Sequence, residues 1–391
     1  MSTTRDTSSV AGRKYDVADV VSLLNVGRYP MLAILSNVKG MDPVTKAKKS
    51  LKKKETTDPE FKWFEDTFGT RDGATASGNT SKNIASTPSV TVATGTGVNF
   101  SVNDVIKFVA SGYTFLVTGV STDTLTLSNE LGGVTGTVDL SSLTIWIIGN
   151  ANEEGAGLRA LKGTTATEKT GYCQIFRTPF GVTETSRATK TFIKENDFDY
   201  QRRKKGIEHM VDIERAFLFG KKAKITGPIN GKPQRFTGGV IPQIVTYAAT
   251  NIDTEAEFET FLEDAFRNGN TEKYAYASAA FVSQINQWAK NKVQIMQSEK
   301  TFGILITRYI SAHGTLNIIK HDLLTGTTYG NYCVVVDMEA LTYRYLTGRD
   351  TKLFTDRQGN GDDEKIEEYL SEVGLQFEQE SRHAIASKAG L

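Results

Sequence analysis

The run from Glu195 to Gly220, ENDFDYQRRKKGIEHMVDIERAFLFG, carries the longest helical pattern in the chain. At helical spacing Tyr200, Ile207, Met210, Val211, Phe217 and Leu218 fall on one stripe, whereas Arg202, Lys205, His209 and Asp212 point elsewhere. The pattern predicts a long helix with one buried face. Asn196 or Asp197 can accept hydrogen bonds from first-turn amides, and Gly220 is placed for a left-handed exit. Glu214 projects into the apolar stripe, where an unpaired carboxylate would cost several kcal/mol. A cationic partner is therefore expected for it.

A chain of 391 residues is long enough for two or three compact units. Lys plus Arg (46) nearly equals Asp plus Glu (45), so overall charge points neither to nucleic acid nor to a membrane surface. The distribution is less even. Arg5, Arg13, Lys14, Arg28, Lys39 and the run Lys46 to Lys54 make the start basic, while Asp362, Asp363, Glu364, Glu367, Glu368 and Glu372 make the end acidic. Cys173 and Cys333 sit in strand-like apolar runs without metal or disulfide spacing and read as reduced packing residues. No apolar run reaches membrane-span length and the Ser/Thr-rich start lacks a signal-peptide core, so a soluble protein made in a cytoplasm is expected. The sequons at Asn79 and Asn99 then carry no meaning beyond chance.

Residues 1–58 look like an arm. Val17, Val20, Val21 and Leu24 form one short apolar cluster and Met31 to Leu35, after Pro30, a second. Fixing a residue's backbone costs roughly 1–2 kcal/mol, so an arm with this little apolar surface should not order itself without a partner surface. FKWFEDTF alternates as a half-buried strand would, Gly69 to Ser86 reads as a flexible loop, and Ser89 to Gly149 reads as a small all-β insert of short alternating runs. YCQIFRTPFGVTETSRATKTF reads as one long strand that Pro179 confines to an edge or a bend. After the long helix, Lys221 to Gly239 reads as connector. Thr254 to Glu257 is a capping box opening a helix with Phe258, Phe261, Leu262, Ala265 and Phe266 on one face, closed by Asn268-Gly269. KYAYA, a second amphipathic helix and three further strands complete an α+β layer, followed by LTYRYL, a loop at Gln358 to Asp363 and a strand around Gly374 to Phe377.

No chemistry is spelled out. His209, His313, His321 and His383 make no spaced ligand set, and no GxSxG elbow, phosphate loop or Cys-His signature appears. Gly95-Thr96-Gly97 lacks the third glycine and helix of a dinucleotide loop. No catalytic residue, metal site or cofactor is assigned, and an enzyme is not expected.

The order of parts, with DVADVVSLLNVGRYPMLAIL, FKWFED, IGNANEEG, QIFRTPFGVTETSRAT, IEHMVDIERAFLFGKK, FGILITRYISAHGTLNIIKH and LTYRYLTGRDTKL, resembles the major capsid proteins of tailed bacteriophages with the Hong Kong 97-type fold. The resemblance implies an α+β subunit divided into an N-terminal arm (1–58), an extended loop carrying the all-β insert (59–192, insert about 89–149), a peripheral domain with the spine helix (193–237), an axial domain (238–338) and a C-terminal return to the peripheral domain (339–391). It implies self-assembly of hexamers and pentamers into an icosahedral shell around double-stranded DNA, in the host cytoplasm and then in the virion. A portal, a scaffold and decoration proteins are implied as partners, and no membrane. Candidate intersubunit contacts are Lys46, Lys48, Lys49, Lys52, Lys53 and Lys54 against Asp362, Asp363, Glu364, Glu367 and Glu368, together with Phe61 and Trp63. Arg202, Arg203, Lys204 and Lys205 are candidates to face the packaged DNA. The rival readings are an encapsulin-like nanocompartment shell, disfavoured by the basic arm and large insert, and a β-rich surface-binding protein.

Overall fold

The computed structural model describes residues 30–32, 53–189, 197–289, 296–297 and 306–389. They form two compact units, one from Met1–Trp63 with Lys169–Leu391, the other Phe64–Glu168. Among the described residues no helix is long and apolar enough to cross a membrane.

The first unit holds two sheets. In the five-stranded one, the strand Glu364–Phe377 is flanked by the edge strand Gln174–Thr183 and by Leu341–Leu346. Lys352–Phe354 also pairs with it, and Lys53–Thr56 adds itself parallel to Leu341–Leu346. Pro179 stands in the edge strand, where a missing N–H is tolerated. The strand residues alternate in two directions. Tyr369, Ser371, Val373 and Leu375 turn toward the helix Asp197–Phe219, while Glu368, Glu372 and Gly374 turn away.

That alternation changes the expected buried face of the helix. Its buried residues are Phe198, His209, Ile213, Glu214, Phe217 and Leu218, with Tyr200, Ile207, Met210 and Val211 only half-buried. His209, expected to point away, is inside because the sheet beneath the helix's first turns is polar. Its ring bonds Thr178 Oγ1 (2.9 Å) and Ser371 Oγ (2.6 Å), and Gly206 lets Tyr369 approach to 3.2 Å of where a Cβ would stand. The last two turns meet the larger apolar core, while Phe198 in the first turn packs on Phe180. Gly220 does not adopt the left-handed exit; it is required by space, since a Cβ there would lie 2.3 Å from Ala216 O and 2.8 Å from Thr237 O. Asn196 and the Asp197 side chain lie outside the described residues.

The seven-stranded sheet runs Ala248–Ala249, Ala384–Ser387, Tyr332–Val336, Glu272–Ala277, Thr315–Lys320, Ile306–Ile310 and Met296–Gln297. Both faces are covered, as the period of two requires. Ala275, Ala277, Leu316, Ile318, Cys333 and Val335 pack under the helices Glu255–Phe266 and Ala279–Ala289. Tyr276, Ile319, Val334, Val336 and Ile385 share a second core with Ile213, Phe217 and Leu218. The capping box at Thr254 and Glu257 forms as spaced. The strand Ala384–Ser387 belongs to this sheet, so the stretch 339–391 is shared between the two sheets instead of returning whole to the first.

Three further expectations change. Lys221 to Gly239 is not plain connector but contains the hairpin Ala223–Thr226 with Pro233–Phe236. Glu184–Ala188 leaves the strand as a helical turn, capped by Thr183 accepting from Ser186 N. The strand expected around Gly374 to Phe377 begins ten residues earlier, at Glu364, and takes in most of the acidic segment.

The second unit is a six-stranded sheet ordered Asp72–Ala74, Thr144–Asn150, Asp104–Phe108, Thr114–Ser121, Thr124–Leu127 and Ser89–Thr91. Lys82–Asn83 pairs with Thr137–Val138, and Ile84 joins Phe108, Phe115, Leu125 and Ile145 in the core, so the β insert starts well before 89 and takes in the expected flexible loop. Asn79 is buried, its side chain donating to Thr91 O and accepting from Thr91 N. Gly95 and Gly97 donate to the Asp123 carboxylate, and a Cβ on Gly97 would lie 1.8 Å from Thr122 O.

Glu60–Glu65 and Thr167–Tyr172 pair as a ribbon. A Cβ on Gly171 would lie 2.3 Å from the Phe61 ring, and one on Gly374 would lie 3.0 Å from it and 2.3 Å from Tyr172 O. Overfilling a packed site costs about 1–3 kcal/mol. Gly171→Ala and Gly374→Ala should each lower stability by that amount in denaturant titrations, and a neutral result for both would show that the Phe61 ring and the Tyr172 backbone have room to shift.

Candidate assembly site

The arm meets the body at Glu214. One carboxylate oxygen accepts from Met31 N (2.8 Å) and from His321 Nε2 (2.8 Å); the other accepts from Leu32 N (2.6 Å). His321 Nδ1 accepts from Leu323 N at 3.2 Å, which leaves Nε2 as the nitrogen that carries the proton. Glu214 and His321 are buried, and Met31 and Leu32 join Ile213, Phe217 and Leu218 in the core. The expected cationic partner is therefore an imidazole N–H with two backbone amides, and three aligned donors satisfy the carboxylate without a formal counter-ion. The turn Pro30–Leu32 supplies those amides because the first N–H groups of a helical turn have no partner of their own.

A second fastening lies at Lys53. Its ammonium pairs with Asp350 and stands 5.1 and 5.0 Å from the rings of Tyr343 and Tyr345. Lys54 is exposed in the same strand, and Lys46, Lys48, Lys49 and Lys52 lie outside the described residues.

The acidic candidates divide. Asp362 and Asp363 are exposed on the loop and Glu364 is half-buried. Glu367 and Glu368 are buried and already paired: Arg202 binds both oxygens of Glu367 at 2.8 Å, and Arg177 forks onto Glu368 with Arg357 3.7 Å away. The Arg177 hydrogen bonds hold the Glu368 carboxyl below the usual range despite its burial. Glu372 pairs with Arg349 at 2.6 Å. Glu367 and Glu368 are thus corrected from intersubunit contacts to internal ones.

Phe61 is corrected likewise, since it is buried beside the two glycines with the Arg344 guanidinium 5.6 Å from its ring; Trp63 stacks on it, half-buried. Of the four candidate DNA-facing cations, Arg202 pairs with Glu367 and Asp199, and Lys205 with Glu208 at 2.6 Å. Arg203 is exposed with its guanidinium 5.9 Å from the Tyr200 ring, and Lys204 is half-buried.

Other buried polar groups are structural. Lys273 Nζ donates to Ala265 O, Asn268 O and Arg382 O at 2.6–2.7 Å, closing the end of Glu255–Phe266. Cys173 and Cys333 are buried free thiols, pushed up to about 12 by burial. A cleft of about 840 Å³ in the second unit is bordered by Arg71, Arg159 and Lys162, but its lining has no histidine, cysteine or carboxylate other than Asp104, which Arg159 binds. Among the described residues no group of side chains is arranged to hold a metal.

Helix and edge strand over one sheet, a second sheet with its own pair of helices, and an arm fastened into the core between them make the layout of a Hong Kong 97-type capsid subunit. The chain belongs to the SU10 major capsid protein family, whose model matches residues 2–390. The major capsid protein of Pseudomonas phage PaMx41 is 25% identical over 264 residues, which are 63% of this chain and 62% of that relative, so the match spans about three-fifths of its length. Among solved structures, a capsid chain of a native GTA particle aligns over 98% of both chains at 6% identity (TM-score 0.49). The SrpI encapsulin of Synechococcus elongatus PCC 7942 aligns over 58% of this chain and 78% of its own at 9% identity (TM-score 0.44). A chain from Mycobacterium phage Bobi aligns over 62% and 81% at 9% identity (TM-score 0.43).

Two outcomes follow from this chemistry. Glu214→Gln turns an amide N–H toward one of three donors, so stability should fall by about 1.5–3 kcal/mol, the range for hydrogen bonds to charged groups. Hydrogen exchange at the Met31 and Leu32 amides should quicken; unchanged exchange would mean that these amides hold without the carboxylate. His383 is an acid-sensitive group. Its Nδ1 accepts from Asp337 N and its Nε2 donates to Glu378 O, and burial holds its pKa at about 3 against the ordinary 6.5. As pH falls through 6.5 the unfolded chain takes up this proton and the folded one does not, so stability drops by up to about 1.4 kcal/mol per pH unit down to about 3. His383→Gln should flatten that slope in denaturation curves, and an unaltered slope would place the acid sensitivity elsewhere.

Proposed function

We propose that this chain self-assembles, as hexamers and pentamers, into the icosahedral shell of a tailed bacteriophage and encloses double-stranded DNA. The observation that carries the reading is the family match along residues 2–390, which takes in arm, loop, helix and both sheets together. A portal fits the role as partner, with scaffold and decoration proteins as further ones, and assembly takes place in the host cytoplasm. The physical demand on such a subunit is many modest contacts that close only in the lattice, since strong pairwise contacts trap wrong assemblies. The fastened turn at Pro30–Leu32 supports this role, because it ties the N-terminal stretch to the subunit's own core.

Contacts between subunits are proposed through Lys46, Lys48, Lys49, Lys52 and Lys54 of the basic run, Lys53 being held internally by Asp350, and through the exposed acids Asp362 and Asp363 with the half-buried Glu364 beside them. Exposed pairs contribute about 0–1 kcal/mol each, so their effect is on register more than strength. Reversing the charge of either segment should impair assembly and reversing both should restore it; no restoration would remove this contact. Electron microscopy of the purified protein, alone and co-expressed with its candidate scaffold, should show closed shells or capsomers that convert to them. A stable monomer in both preparations would overturn the shell reading.

A further inference from the structure

We infer that the hairpin Ala223–Thr226 with Pro233–Phe236 is a DNA-contacting ribbon, a role that the sequence had suggested for the helix cations Arg202 to Lys205. The inference rests on the reading that the shell encloses DNA and names the surface that touches it.

Between Gly220 and Phe236 the chain carries Lys221, Lys222, Lys224, Lys232 and Arg235 and no carboxylate. Lys224 and Arg235 stand directly opposite each other in the ladder, an arrangement that like charges disfavour. Glu60 lies against both and offsets it. That leaves an excess of positive charge. Lys221 and Lys232 are exposed without a carboxylate partner among the described residues, and Lys222 donates only to the neutral Thr170 O at 3.1 Å. The helix cations offer less, because Arg202 and Lys205 are already neutralised by carboxylates.

The tip is as informative as the charge. Ile229 is 97% exposed, yet the turn that presents it is held by Gly227 N to Lys232 O (2.7 Å), Gly231 N to Gly227 O (3.0 Å) and Lys232 N to Asn230 Oδ1 (3.1 Å). Gly231 takes the left-handed conformation the turn needs, with φ at 67°. An ordered turn holding Pro228 and Ile229 out in water, with lysines on both sides, fits a duplex. Lysines bind phosphates without reading sequence, a two-stranded ribbon enters a groove, and an apolar tip wedges against base steps from the minor groove.

The test uses the full chain and a mixed-sequence DNA duplex, with affinity measured across a salt series. Replacing Lys221, Lys222 and Lys232 by Gln should weaken binding at least tenfold at low salt. It should also make the log–log salt slope shallower by about 2.7, at about 0.9 for each phosphate that is no longer neutralised. Lys232→Gln alone guards against a misfolded triple variant and should remove about 0.9 of the slope. Ile229→Ala should weaken binding about threefold with the slope unchanged, as expected of an apolar wedge. Arg203→Gln with Lys204→Gln should leave both quantities unaltered. A parent slope retained by the triple variant would overturn the inference, as would loss of shell formation with full DNA affinity, which would make the ribbon a contact with a second copy. Absence of duplex binding by the parent protein would also overturn it, while the shell reading would still stand or fall on microscopy.

Discussion

A carboxylate taken out of water must find donors inside the protein, and at Glu214 they come from places far apart in sequence. The amides of Met31 and Leu32 lie more than 180 residues before it and the His321 ring 107 residues after it. The long helix, the arm and the residue that follows the strand Thr315–Lys320 are therefore fixed by one side chain. Removing the arm would strand a buried charge with a single donor, and such groups cost far more than the hydrogen bonds they make contribute. The arm turn is thus part of the core and not an appendage to it.

The same matching of donors to acceptors governs the five-stranded sheet. Apolar contact is concentrated at the end of the helix, where Phe217 meets Tyr343 and Leu218 shares a core with Val373 and Leu375, with Phe198 against Phe180 at its start. Along its first turns the helix meets the sheet through Arg202 with Glu367 and through His209 with Thr178 and Ser371. Directional bonds of this kind add less stability than a greasy interface but tolerate no slippage, so the helix sits in one register. On the sheet's other face, Arg177, Arg357 and Arg349 neutralise Glu368 and Glu372.

Much of this was legible from periodicity, because the elements in question are local. The helix between Asp197 and Phe219, the capping box at Thr254, the edge strand with Pro179 and the short strands of the β insert all announce themselves within a few residues. Glu214 was visible as a misfit in an apolar stripe. Its partners were not, since nothing in a sequence ties residues 31, 32, 214 and 321 together. The acidic run misled for a related reason. Consecutive carboxylates near a chain end look free to meet a basic segment of a neighbour, but in a strand they alternate, and guanidinium partners from four separate segments made Glu367, Glu368 and Glu372 internal. The basic hairpin looked like connector because glycines and prolines at its turn hide two four-residue strands.

The ribbon of Glu60–Glu65 with Thr167–Tyr172 has a bearing on how such a chain can change over time. Two paired strands hold the departure and return points of the intervening chain about 4.8 Å apart, the ordinary spacing of a ladder. Whatever lies between them need only present closely spaced termini, a property most compact domains have. Since closure entropy grows slowly with loop length, the ribbon works as a splice point. The β unit at Phe64–Glu168 can be enlarged, shortened or exchanged for a different fold while the helix, its sheet and the clasped arm keep their own sequence constraints.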